Sequence, residues 1–375
     1  MTLEDARKQF PHTWTDMIYL NHAAISPLPF VVRDAVDKYM ERRALKGIES
    51  YPWANQIASR TKGLIARLLH TKAERIAFVL NTDEGINLLA SGIKWNKGDR
   101  ILLYRYEYPA NVYPYLNQKK LRGVGVDFMA PEDGRITVDL IKKHLKPETK
   151  LLSLSFVQFL TGFRSDLDAI GKLCKERNII FAIDAIQGLP HSFIDVEKSQ
   201  VDFLSAGSHK WLMGTEGTAF IYLSEKTQSL IHQSSMGAGS VKNPFDFFDY
   251  DTDRIRDDAG RYEGGTLNSP GITALNASLT FHQEFGFAEI EKRILEHTSY
   301  LISRFNSHGV KVLTPEIASE RAGIVSVEIE NPEEVLKRLL KKRIIAAVRG
   351  GKLRLSPHFY NTEEELRTAM NAIFE

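Results

Sequence analysis

Between residues 75 and 223 the chain alternates short β-rich apolar runs with longer stretches of helical period. That alternation constrains the fold more than any other feature, because it commits the segment to an open α/β layer on a largely parallel sheet. The runs 76–80, 100–104, 125–128, 150–157, 179–184, 201–205 and 218–223 read as strands. Several are unbroken apolar runs, the pattern of central strands covered on both faces, where a half-exposed strand would alternate. Between them 82–92, 137–145 and 166–177 read as helices. The last carries Leu167, Ile170, Gly171, Leu173 and Cys174 on a helical period, with basic residues near its end.

After Leu223 the pattern changes. The stretch 234–260 is rich in Gly, Phe and Asp without a period and reads as a long surface or active-site loop. Helices follow at 270–285 and 287–308, then strands at 310–313 and 323–329, a helix at 332–341, more strands, and a closing helix at 362–374. The expectation is a large domain over 21–260 and a smaller α+β domain over 261–375, with 1–20 packing on the small one. A chain of 375 residues buries roughly three-quarters of its unfolded surface and needs no staple. The single cysteine, Cys174, excludes an intramolecular disulfide and a cysteine-rich metal site, and no metal is expected. Basic residues number 49 against 47 acidic ones, with no dense basic tract, so no nucleic-acid partner is expected. The longest apolar stretch, 151–160, is interrupted by Ser153, Ser155 and Gln158 and is too short to span a bilayer. Residues 1–10 mix acids and bases where a signal peptide would be apolar, so the expected location is cytoplasmic, away from membranes.

The chemistry concentrates in residues 179–212, I-I-F-A-I-D-A-I-Q-G-L-P-H-S-F-I-D-V-E-K-S-Q-V-D-F-L-S-A-G-S-H-K-W-L. Asp184 directly follows an apolar run, which puts it at the carboxyl end of a strand, the edge of an open α/β sheet where ligands bind. A carboxylate in that partly dry place needs a cationic partner, and a protonated pyridine nitrogen is one. Lys210 follows a second apolar run through the polar turn 205–208 and lies between His209 and Trp211. Desolvation there favours the neutral amine, the form that attacks an aldehyde. Singly, such a lysine is usually exposed and such an aspartate usually a cap; the matched strand contexts make the pair informative.

The wording A-I-D-A-I-Q-G followed by S-A-G-S-H-K-W-L resembles the class V aminotransferase family of fold-type I pyridoxal 5′-phosphate (PLP) enzymes. That family includes cysteine desulfurases, selenocysteine lyases, kynureninases and isopenicillin N epimerase-like proteins. The resemblance runs from Y-L-N-H-A-A near residue 20 to F-Y-N-T-E-E-E near residue 360. It implies that Lys210 forms a Schiff base with PLP and later shuttles protons, that Asp184 pairs with the pyridine nitrogen, and that Gln187 touches the ring's phenolic oxygen. His209 is implied to bind the phosphate, together with Thr82 and Asp83 in F-V-L-N-T-D-E-G-I-N, where a helix start favours an anion. Without a ligand, Thr82 would read as a plain N-cap. Tyr108, after a glutamate in Y-E-Y-P-A-N, is implied to stack on the cofactor, and Gln158 to lie near cofactor and substrate. In R-Y-E-G-G-T-L-N, Gly265 and Thr266 correspond to a segment reaching the phosphate of a neighbouring subunit, which implies a homodimer with shared sites. Arg354 is implied to grip the α-carboxylate of a small amino substrate, with Arg349 as a second candidate. Asn21 and His22 fall where the family's N-terminal segment lines the substrate pocket.

Two departures matter. Relatives place a phosphate-binding serine three residues before the lysine, where this chain has Gly207, leaving Ser205 or Ser208 as substitutes. Desulfurases carry a nucleophilic cysteine between the two C-terminal arginine positions; here that stretch is R-G-G-K-L-R, and a persulfide mechanism is not expected. The expected activity is therefore PLP-dependent amino-group transfer, with an epimerase or β-lyase of the same family as the alternative. A non-enzymatic PLP carrier would lack so complete a set of groups. A nucleotide-binding protein would show G-x-G-x-x-G or a P-loop, and neither occurs.

Overall fold

The computed structural model describes residues 1–131, 133–248 and 250–375. After a two-residue strand β1 (Ile18–Tyr19), seven strands form the main sheet: β2 (Ile76–Val79), β3 (Arg100–Tyr104), β4 (Gly125–Met129), β5 (Thr149–Ser155), β6 (Ile180–Asp184), β7 (Phe203–Gly207) and β8 (Ala219–Leu223). Their order is β2-β8-β7-β6-β5-β3-β4, and only β8 runs antiparallel to its neighbours. Each lies within about two residues of a run read as a strand. The apolar runs are unbroken because both sheet faces are covered. Along β8, Ala219, Ile221 and Leu223 enter one core, whereas Phe220 and Tyr222 enter the other. The helices Thr82–Gly92 and Tyr113–Arg122 cover the first face; Tyr51–Leu69, Leu167–Glu176 and Ser269–Phe285 cover the second.

The helices Phe30–Leu45 and Tyr51–Leu69 were not legible as part of the α/β alternation. Phe30–Leu45 buries only Val32 and Tyr39, so it has no apolar stripe to reveal it. It packs on Ser269–Phe285, which also contributes Ile272, Leu275 and Leu279 to the core of the main sheet. The later strands are β9 (Lys311–Val312), β10 (Val325–Glu328), β11 (Ile344–Ile345), β12 (Ala347–Arg349) and β13 (Lys352–Leu355). Four of them form an antiparallel sheet in the order β12-β13-β10-β9, while β11 pairs in parallel with β1. Leu20 joins the core of this second layer, whereas Ala6 and Phe10 pack in a separate cluster with Trp211, Phe281, Ile294 and Phe359. The stretch 234–260 has little regular structure; Phe245, Phe247, Phe248 and Tyr250 are exposed on it, and Asp249 lies outside the described residues. No helix among the described residues is long and apolar enough to cross a membrane.

One close approach sets where the helix Thr82–Gly92 sits. A Cβ on Gly85 would lie 2.3 Å from Ser205 Oγ and 2.6 Å from Ile221 Cγ2, so only glycine lets this helix press onto β7 and β8. Gly85→Ala should therefore cost about 1–3 kcal/mol by overpacking, read as a lower urea midpoint. Gly63→Ala, within Tyr51–Leu69, meets nothing nearer than 3.8 Å and should instead stabilise by up to about 1 kcal/mol. Equal midpoints for the two variants would contradict this packing.

Candidate active site

The carboxyl ends of β6 and β7 bring the two singled-out residues together. Asp184 is the last residue of β6 and pairs in register with Ser205 of β7. It is buried, and Oδ1 accepts from the Ile186 N–H at 2.9 Å. No cation lies within ion-pair distance of it among the described residues. Burial pushes its carboxyl up to about 7, against the opposing pull of that N–H and of Lys210. Lys210 emerges after β7 from a tight turn held by Ser208 N–H to Thr218 O at 3.0 Å and Gly214 N–H to Ser208 O at 2.8 Å. Burial brings its amine down to about 8, with Asp184 pulling it back up. Its Nζ stands 5.4 Å from the centre of the Tyr108 ring, which meets Phe159 edge-on.

Both groups line a cavity of about 250 Å3 whose walls also include Asn81, Thr82, Asp83, Tyr108, Gln187, His209, Arg349 and Arg354. At one end is the start of the helix Thr82–Gly92. Asn81, rather than Thr82, is the N-cap, its Oδ1 accepting from the Glu84 N–H at 2.8 Å. Thr82 and Asp83 therefore keep first-turn N–H groups without an intrahelical acceptor, where an anion is favoured. Thr82 Oγ1 accepts from the Gly207 N–H at 3.0 Å. A Cβ on Gly207 would come within 3.3 Å of that oxygen and 3.0 Å of Ile186 Cδ1, which accounts for glycine here. Neither substitute serine lines the cavity: Ser205 donates to Thr82 O and Ser208 to Thr215 O. At the other end is Arg354, 2% exposed, with Nη1 donating to Phe159 O at 2.8 Å and a buried Nε that has no partner among the described residues. Burial and the nearby Arg349 bring its guanidinium down to about 10, still cationic at neutral pH. A buried guanidinium without an anion calls for one from a ligand.

Not every nominated residue lines the cavity. His22 does not line the cavity, because its ring nitrogens are committed to Ser356 O at 2.8 Å and Tyr360 Oη at 2.7 Å. Asn21 bridges to Ser356 and is likewise no part of the walls, which Ala23 and Ala24 supply. Gln158 stands one layer behind, donating to Glu107 at 2.8 Å. Gln187 lines the cavity, but its amide already donates to Ala23 O at 2.9 Å and accepts from Trp211 Nε1 at 2.8 Å, leaving one N–H and one lone pair. Gly265 and Thr266 are exposed and away from this cavity. Cys174 is buried in the core of the main sheet, where burial pushes its thiol up to about 12.

Two residues carry more of the site than sequence reasoning gave them. Glu107 is buried and accepts from the Ser155 N–H at 2.8 Å, from the Ser155 hydroxyl and from Gln158, which pins the Tyr108 loop to the end of β5. Trp211 is fully buried, stacks on His191 at 4.2 Å and fixes Gln187, which anchors the lysine turn. An acid before the tyrosine and a tryptophan after the lysine were the available signals. Three larger clefts, of about 560, 450 and 380 Å3, lie elsewhere. In the first, Arg135, Arg164 and Lys198 are already paired with Glu320, Glu291 and Asp168.

A family model described as Aminotransferase class-V matches residues 18–370. A probable cysteine desulfurase of Pyrococcus abyssi is 27% identical, covering 99% of this chain and 97% of its own. An uncharacterized aminotransferase of Bacillus subtilis is 24% identical over 99% of this chain and 97% of its own. Among solved structures, the apo form of a cysteine desulfurase from Thermococcus onnurineus has a TM-score of 0.89 at 25% identity, covering 98% of this chain and 96% of that one.

The charges around Lys210 make a signed expectation. Labelling of its amine by a small aldehyde with borohydride, counted by mass spectrometry, should rise with pH through a midpoint near 8 rather than 10.5. Asp184→Asn removes a charge that raises the amine's pKa and should move the midpoint down; Arg354→Gln removes one that lowers it and should move it up. A midpoint at the ordinary lysine value in the wild-type protein would show that the amine is not desolvated.

Proposed function

The chain belongs to the class-V aminotransferase family, and on that premise we propose that it is a PLP-dependent aminotransferase acting on an α-amino acid. The observation that carries this is the meeting, in one cavity, of a desolvated amine, a buried carboxylate without a cation and a buried guanidinium without an anion. These residues fit the cofactor. Lys210 would hold it covalently, Asp184 would accept from its ring nitrogen, and the first turn of Thr82–Gly92 with His209 would hold its phosphate. Tyr108 would face its ring from beside Lys210. When bound, PLP supplies an electron sink for charge left on the substrate's α-carbon.

The chain's own groups account for the rest. Arg354 orients the substrate by its carboxylate, and the guanidinium fork fixes direction as well as position. Asp184, as the carboxylate, keeps a proton on the ring nitrogen it faces; a cation there lowers its pKa and removes the penalty of its burial. The Lys210 amine, brought toward neutrality, takes the α-proton as general base. The names of the relatives point toward cysteine desulfuration, but persulfide chemistry of the desulfurase kind needs a thiol at the substrate. The single cysteine of this chain is in the core. We further propose that the chain divides near Gly286, between Ser269–Phe285 and Phe287–Ser307, and that it acts as a homodimer. In that dimer the exposed Gly265 and Thr266 would complete the site of a second copy.

The test is a panel of amino acids offered to PLP-loaded protein together with a keto-acid acceptor. The expected result is acceptor-dependent, equimolar keto acid without release of sulfide or ammonia. Lys210→Ala should lose roughly 10²–10⁴-fold in rate or more, while Cys174→Ser should keep full activity. Alanine from cysteine, with sulfide appearing once a thiol reductant is added, both abolished by Cys174→Ser, would replace this reading with a desulfurase.

A further inference from the structure

Two arginines reach the cavity, and one carboxylate accounts for only one of them. They come from a single hairpin. β12 pairs antiparallel with β13 so that Ala347 faces Arg354 and Arg349 faces Lys352. Directly opposed residues share a sheet face and so do residues two apart along a strand, so Arg349 and Arg354 project from the same face as diagonal neighbours. Their Cβ atoms are then about 7–8 Å apart. The hairpin is rigid at its tip: Gly350 and Gly351, the two residues between the paired Arg349 and Lys352, have φ of +55° and +72°, the condition of a two-residue type I′ turn. The backbone therefore fixes the sheet face from which both arginines leave.

Their surroundings differ. Arg354 is buried and tied to Phe159 O, whereas Arg349 is exposed, donates only to Val348 O, and has no carboxylate within ion-pair distance among the described residues. The ionisable wall groups are the cations Lys210, Arg349 and Arg354, the carboxylates Asp83 and Asp184, the phenol of Tyr108, and His209, which burial keeps toward neutrality. Under the proposed function, Asp184 is taken by the cofactor's ring nitrogen, the helix start by its phosphate, and Arg354 by the α-carboxylate. Arg349 remains, at the mouth of the cavity, free to meet whatever the substrate's side chain carries.

We propose that Arg349 determines specificity by holding a second, side-chain carboxylate, so that the site takes dicarboxylic α-amino acids. This rests on reading the cavity as an amino-acid site and names the substrate class of that site. A one-carboxylate substrate leaves Arg349 in water at no cost. A two-carboxylate substrate gains a charge-assisted bond to a second guanidinium that already lines the cavity.

The test uses the PLP-loaded protein and two unreactive acids, succinate and butyrate, with affinities read by calorimetry. Cofactor uptake is followed separately by absorbance. Succinate should bind about tenfold more tightly than butyrate, the scale of one charge-assisted hydrogen bond. Arg349→Gln should abolish that preference with butyrate affinity unchanged, Arg349→Lys should keep part of it, and Arg354→Gln should weaken both acids. Equal affinities in the wild-type protein overturn the proposal. So does an Arg349→Gln variant that weakens butyrate as much as succinate, because both arginines would then grip one carboxylate. Because the acids report on the arginines and absorbance on Lys210, failure of the specificity and failure of the cofactor reading are told apart.

Discussion

Everything at this site depends on holding two opposite charges in a dry place without letting them neutralise each other. Asp184 ends β6 and Lys210 lies in the turn after its parallel neighbour β7; each is desolvated, and each shifts the other's titration without forming a direct ion pair. A buried ion without a partner costs several kcal/mol, on the order that a ligand's own charge can repay. The parallel register of β6 on β7 sets the spacing. Had the strands been antiparallel neighbours, the carboxylate and the lysine turn would have left the sheet at opposite edges.

That arrangement survives only if the loops carrying the groups cannot relax toward each other, and the structure fixes them from behind. Trp211, next to the lysine, fills the space beside Gly323, where a Cβ would lie 2.3 Å from its ring, and its indole N–H holds Gln187. Gln187 in turn donates to Ala23 O, so the lysine turn, the strand-end loop after Asp184 and the N-terminal segment form one connected wall. Glu107 does the same opposite, tying the Tyr108 loop to the end of β5 through Ser155 and Gln158. Burial raises the pKa of this carboxyl, and its hydrogen bonds are what keep it tolerable there.

The strands were legible because unbroken apolar runs report two-sided burial, and the two residues of the site because each follows such a run directly. What stayed illegible were properties of contact rather than of pattern. His22 looked like a pocket residue because of its neighbours in sequence, yet Ser356 and Tyr360, more than 330 positions away, consume both its nitrogens. Gln158 fell one layer short for the same reason, its amide claimed by Glu107. The missing phosphate serine could not be resolved from spacing either. Only the packed structure shows that a side chain on Gly207 would press on the Thr82 hydroxyl and on Ile186. Helix Phe30–Leu45 escaped because a helix that buries two side chains leaves no periodic trace.

The hairpin between the two arginines bears most directly on what reaction such a wall can support. By resemblance, this stretch is where desulfurases carry their nucleophilic cysteine. Here Arg349 pairs with Lys352 across only Gly350 and Gly351, and a two-residue turn has no loop to swing a nucleophile over the cavity. A longer loop there would replace the two-residue connection between the strands that carry Arg349 and Arg354. On the proposed reading, no second reactive side chain reaches the substrate from this hairpin. That reading asks of the site only chemistry that one lysine can complete, with orientation supplied by positive charge.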